Sequence, residues 1–140
     1  MSSRAIAELL RGKGAHADPL ACVEDLSAEL ASRQVAGFPH SIGQLVFHMN
    51  FWMDYDLRRI RGEKPPYPAH NSESFPARLA PADAHEWDDL RKRFSGLIDD
   101  SAALADSPEH ELQREIEPTL EPQGTGRNAG SGSLATRRTQ

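Results

Sequence analysis

Apolar side chains recur along this chain at helical spacing, in blocks parted by glycine- or proline-rich links. Residues 3–11 (SRAIAELLR) predict a short helix stopped by Gly12, and residues 12–17 (GKGAHA) a link. Asp18 can cap a helix whose first residue is Pro19. Leu20, Val23, Leu26 and Leu30 then fall on one face until the pattern fades at Ser32. After a second link (RQVAGFPH), Ser41 and Gln44 have capping-box spacing and open the clearest helix, which runs to about Arg61 and ends at Gly62. Ile42, Leu45, Val46, Met49, Met53 and Ile60 form its stripe, widened by Trp52 and Leu57. Arg58, Arg59 and Arg61 suit the negative end of its dipole.

Residues 62–80 contain four prolines and are not helical. A link this long can cross the length of a bundle, so the helices on either side of it can run parallel. Asp83 and Glu86 repeat the capping-box spacing, and Trp87, Leu90, Phe94, Leu97, Ile98 and Leu104 predict a third amphipathic helix ending near Ala105. From Ser107 to Glu121 the reading is open: Leu112, Arg114 and Ile116 hint at alternation, which fits an extended segment. Residues 122–140 hold four glycines and one large apolar residue, Leu134; too little surface can be buried there to offset ordering, which predicts a disordered tail. The expected domain is therefore 1–121, with 122–140 as tail. Three amphipathic helices need a fourth partner, or a second copy of the chain as a homodimer, or one side of the core faces water.

Charge narrows the function classes. The net charge is −5; residues 122–140 contribute +3 through Arg127, Arg137 and Arg138, leaving −8 on the first 121 residues. An acidic body argues against a nucleic-acid surface, which needs a basic patch. The single cysteine, Cys22, excludes an internal disulfide and a thiolate metal cage, and its apolar surroundings predict a buried filler. No apolar run is long enough to span a membrane and no signal-peptide pattern opens the chain, so the expected location is cytoplasmic.

Of six histidines (His16, His40, His48, His70, His85, His110), no two share a helix at i, i+4, and there is no HExxH, nucleophile elbow or phosphate-binding glycine loop. His48 lies at the edge of its helix's apolar stripe, facing a seam, with Gln44 and Trp52 on the same face. A neutral imidazole there can bind a metal, or it can be a boundary histidine bonded to a neighbour.

The segment GFPHSIGQLVFHMNFWMDYDLRRIRGE resembles the second helix of the DinB-like (DinB/YfiT) superfamily, in which a PHS cap precedes a histidine ligand seven residues after the serine; Ser41 and His48 fit. LLRGKGAHADPLACVEDL resembles that family's first helix, PPYPAHNSESFP its crossover, and the Trp87 segment its third helix. The resemblance implies an all-α, up-down-down-up bundle with a long crossover between helices 2 and 3. It also implies a divalent metal, zinc or nickel, held by three histidines: His48 and an H-x-x-x-H on the last helix. Such a centre implies a metal-dependent hydrolase or a low-molecular-weight thiol S-transferase acting on a small-molecule or thiol substrate, with Trp52 and Tyr67 lining the pocket. This chain departs from the pattern: no H-x-x-x-H follows His48, and the glycine-rich tail begins where the last helix belongs. The fourth helix is then missing or degenerate, truncated or altered, and the activity impaired. The alternative is a non-catalytic helical protein that dimerises or binds a partner through an exposed apolar face.

Overall fold

The computed structural model describes residues 3–13 and 17–107. Its elements are five helices, α1 (Ser3–Leu10), α2 (Ala21–Glu24), α3 (Ala28–Ser32), α4 (Ile42–Ile60) and α5 (Ala84–Ala105), and a 3-10 turn at Asn71–Ser74; no strand occurs among the described residues. None of these helices is long and apolar enough to cross a membrane.

α4 and α5 lie parallel, in a register offset by about 39 residues. Ser41 Oγ donates to the Ala80 carbonyl at 2.9 Å, Asn50 Nδ2 to the Leu90 carbonyl at 3.1 Å, and Asp54 pairs with Arg93 at 2.9 Å and Asp100 with Arg61 at 3.1 Å. The crossover therefore carries the chain back the length of α4. The first part of the chain runs the other way. Arg11 meets Asp99 at 3.0 Å, Arg91 donates to the Glu24 carbonyl at 2.8 Å, and Trp87 Nε1 to the Leu26 carbonyl at 2.6 Å. The order up, down, down follows from these contacts. Val23, Ala31, Val46, Trp87, Phe94 and Ile98 form the core between the three layers.

The expected helix over 18–32 is two short helices. Ser27 Oγ accepts from the Leu30 amide at 3.2 Å, so a new cap interrupts the run, and the Leu26 carbonyl is held by Trp87 across the bundle. The break turns Ala31 inward and leaves Leu30 exposed, against the expected face. Cys22 is likewise exposed, not buried, because the single turn of α2 points Val23 at the core.

Both expected caps on the long helices form, in different degrees. At α4 the box is complete: Ser41 Oγ accepts from the Gln44 amide at 3.2 Å and Gln44 Oε1 from the Ser41 amide at 3.0 Å. At α5 Asp83 accepts from the Glu86 amide at 2.8 Å, but the Glu86 carboxylate turns to Arg78 at 3.0 Å and the Ala82 amide at 2.6 Å. Gly43 is required where α4 meets the end of the crossover: a Cβ there would stand 2.1 Å from the Ala80 carbonyl oxygen.

The stripe read from α4 divides in two. Val46 and Leu57 are buried, while Ile42, Leu45 and Met49 are 37%, 44% and 40% exposed. One side of the core faces water among the described residues.

Candidate functional site

The Ser41 cap starts α4 so that His48 falls two turns in, between the crossover and the open part of the stripe. The crossover supplies its surroundings. The 3-10 turn sets Ser74, fully buried, beneath the imidazole: His48 Nδ1 lies 2.9 Å from Ser74 Oγ. Ser74 Oγ itself donates to the Asn71 carbonyl at 2.6 Å. Its one proton is thereby committed, so Ser74 accepts from His48. The imidazole is then the Nδ1–H tautomer, and Nε2 carries the lone pair. Among the described residues no hydrogen bond reaches Nε2.

Phe75 follows at once in the chain and stacks between two histidines. Its ring centroid is 4.1 Å from that of His48 and 4.0 Å from that of His40, with interplanar angles of 11° and 10°. Trp52 presents its edge to His48 at 6.3 Å and packs against Tyr67 at 5.6 Å. Tyr55 closes the group, 5.5 Å from Trp52. Trp52 thus touches His48 directly and Tyr67 reaches it only through Trp52. On the His40 side of Phe75 a cavity of about 400 Å³ opens, lined also by Gln44, Asn71 and Pro76. Gln44 is itself buried, donating to the Arg78 carbonyl at 3.2 Å, so the cap of α4 also anchors the end of the crossover.

The arrangement orients one nitrogen ligand and holds its ring between an aromatic face and a hydroxyl acceptor, as an outer shell does for a metal-bound histidine. It does not supply the rest of a centre. Among the described residues no group of three His, Cys, Asp or Glu side chains converges. His85 pairs with Asp89 at 3.1 Å on the outer face of α5, and His70 opens the 3-10 turn, its amide held by Glu73 at 3.0 Å. His16 and His110 lie outside the described residues, as do 108–121 and the expected tail 122–140. One imidazole among the described residues does not fit the three-histidine metal set.

Sequence reasoning missed Ser74, Asn71 and Phe75. They stand 23 to 27 residues from His48 in a proline-rich link, and no periodicity marks them. The one usable signal was that Asn71, Ser72 and Ser74 are turn-forming residues inside an otherwise apolar, proline-bearing crossover.

Neither a curated protein nor a solved structure matches the chain. The sequence pattern of the DinB superfamily matches residues 13–132, which takes in α2 to α5, His48 and the whole crossover and runs on past Glu121. The chain belongs to the DinB superfamily.

Proposed function

We propose that His48 is a metal-ligand position surviving in a DinB-superfamily protein whose metal-dependent activity, that of a hydrolase or a low-molecular-weight thiol S-transferase, is impaired. The observation that carries this reading is the Asn71–Ser74–His48 chain of hydrogen bonds. It fixes the tautomer and leaves Nε2 as an acceptor without a partner among the described residues. The aromatic wall of Phe75, Trp52 and Tyr67 suits a small organic or thiol substrate beside that nitrogen. A divalent metal, zinc or nickel, would need two further ligands that the described residues do not offer.

Calorimetric titration of the full chain with zinc and with nickel, beside a His48→Ala variant, tests this. The expected result is weak binding, on the order of millimolar, reduced further by the substitution. Tight one-to-one binding abolished by His48→Ala shows a complete centre and overturns the impairment.

A second reading rests on Ile42, Leu45 and Met49, whose exposure favours a non-catalytic protein that pairs with a second copy or another chain. Light scattering separates the two: a dimer whose mass halves with Leu45→Asp supports pairing, and a stable monomer rejects it.

A further inference from the structure

α4 has a third face, away from both His48 and the exposed strip. Taking about 100° per residue, Leu45, Met49 and Ile42 of the strip lie about 60–120° round the helix from His48, whereas Asn50, Asp54, Phe47, Arg58 and Phe51 lie about 200–300° round it. This third face fronts a cavity of about 380 Å³ between α4, α5 and the start of the crossover. That volume falls within the range of small-molecule sites.

The walls are apolar and stiff. Phe47 and Phe51, one turn apart, form the α4 wall; both are half-buried and stand outside the core of Val46, Trp87 and Phe94. Leu90 forms the α5 wall, and Pro65 and Pro66 the third. Arg58 Nε, bonded to Glu63 Oε2 at 2.7 Å, ties the crossover back onto α4 just before the two prolines. Proline rings have almost no rotamer freedom to lose, so this wall is in place before anything binds.

The polar groups of the cavity are few and unevenly used. Asn50 is 3% exposed, and its Nδ2 donates to the Leu90 carbonyl at 3.1 Å; Oδ1 is left buried with no hydrogen-bond partner among the described residues. A buried amide oxygen without a donor is costly, and a donor entering the cavity beside Asn50 removes that cost. Two guanidinium groups stand further along. Arg58 spends Nε on Glu63, and Arg93 spends Nη2 on Asp54 at 2.9 Å. Among the described residues, both Nη atoms of Arg58, and Nε and Nη1 of Arg93, keep their N–H groups for a further acceptor. With Asp54 and Glu63 counted the charge is balanced, so what the arginines offer is unspent N–H donors in a fork, the geometry that holds a carboxylate. Asn50 and Arg58 are about 12 Å apart along α4, with the Asp54–Arg93 pair midway.

We propose that this cavity binds a small aromatic carboxylate. The ring packs against Phe47, Phe51 and the Pro65–Pro66 wall, the carboxylate meets Arg58 and Arg93, and an O–H or N–H at the far end of the ring donates to Asn50 Oδ1. These requirements set the ligand's length as well as its class: one ring, a donor at one end and an acid on a short arm at the other. The site lies across α4 from His48 and does not depend on the metal-ligand reading of that residue.

Calorimetric titration of the full chain with para-hydroxyphenylacetate tests the class. Saturable one-to-one binding is expected, with a Kd of about 1 mM or below. Phenylacetate lacks the hydroxyl and para-hydroxyphenylethanol lacks the acid; each is expected to bind about tenfold more weakly, the loss of one good hydrogen bond. Changing the ligand reads the contact to Asn50 without disturbing Asn50, whose substitution would free the Leu90 carbonyl. Arg58→Gln, at a side chain that is 44% exposed, should weaken the acid about tenfold and leave the alcohol unchanged. NMR of the same titration locates the ligand: shifts are expected at the Asn50 side-chain amide and at the Nε–H groups of Arg58 and Arg93, with the His48 ring unmoved. No saturable binding below about 10 mM overturns the site. Equal affinities for the two acids overturn the contact at Asn50, and an Arg58→Gln chain that holds the acid as the wild type does overturns the carboxylate clamp. Shifts centred on His48 assign the ligand to the other side of α4 and overturn the proposal as a whole.

Discussion

On one side of α4, Gly43, Val46, Asn50 and Leu57 are buried; on another, Ile42, Leu45 and Met49 keep more than a third of their surface. The exposed set is the more hydrophobic of the two. Burial has followed delivery of a partner. The end of the crossover is held by Ser41, and α5 by Asn50, Asp54 and Arg61, each bonded to a group about 39 residues further on. Polar anchors fix where apolar surface can be covered: the buried donors of Ser41 and Asn50 are satisfied in this alignment and left unpaired in others, while the exposed ion pairs of Asp54 and Arg61 add little. Where no described element crosses the strip, the apolar residues stay open.

Four substitutions break or sharpen this contrast. The largest effect is expected at the centre of the covered side. Trp87→Ala removes a ring that is 2% exposed together with its bond to the Leu26 carbonyl, and should cost about 3–5 kcal/mol in denaturant titration. A loss under about 1 kcal/mol would show that α2, α3 and α5 do not share one core. Gly43→Ala comes next. The added methyl would stand 2.1 Å from the Ala80 carbonyl oxygen, so the α4–crossover junction must shift. We expect about 1–3 kcal/mol of destabilisation and loss of amide-exchange protection at Gln44; wild-type protection there with unchanged stability rejects the close approach.

Leu45→Asp probes the other side. If a second copy of the chain covers this side, the charge meets apolar surface and stability falls by about 1–2 kcal/mol, whereas an open surface position changes by no more than about 0.5 kcal/mol. Thermal melts of this variant and of Lys92→Asp, an exposed control, decide between them. Ser74→Ala is the smallest. It deletes the acceptor at His48 Nδ1 and the donor to the Asn71 carbonyl, for about 1 kcal/mol. Its sharper readout is ¹⁵N NMR of the His48 ring: the single Nδ1–H tautomer should become a mixture of both. A ring that keeps one tautomer shows that something other than Ser74 orients it.

Much of the fold was legible because its determinants are local. Ser41 with Gln44, Asp83 with the Glu86 amide, Gly62 and the helical recurrence of apolar residues each act within one or two turns, so the limits of α4 and α5 could be read within a residue or two. The four prolines of the crossover excluded a helix by covalent geometry alone, and its length allowed the parallel pair that the structure contains. His48 was legible as a boundary residue for the same reason: its angular position follows from the helix period. What the one-dimensional pattern could not carry were interactions whose partners lie tens of residues apart. Trp87 holds the Leu26 carbonyl from 61 residues away where the helix expected over 18–32 breaks, and Ser74 selects the tautomer of His48 from 26 residues away. Which apolar stripe is covered depends on the 39-residue register between α4 and α5. No period encodes that register, because it arises from a set of hydrogen bonds and ion pairs that exist only once the two helices are side by side.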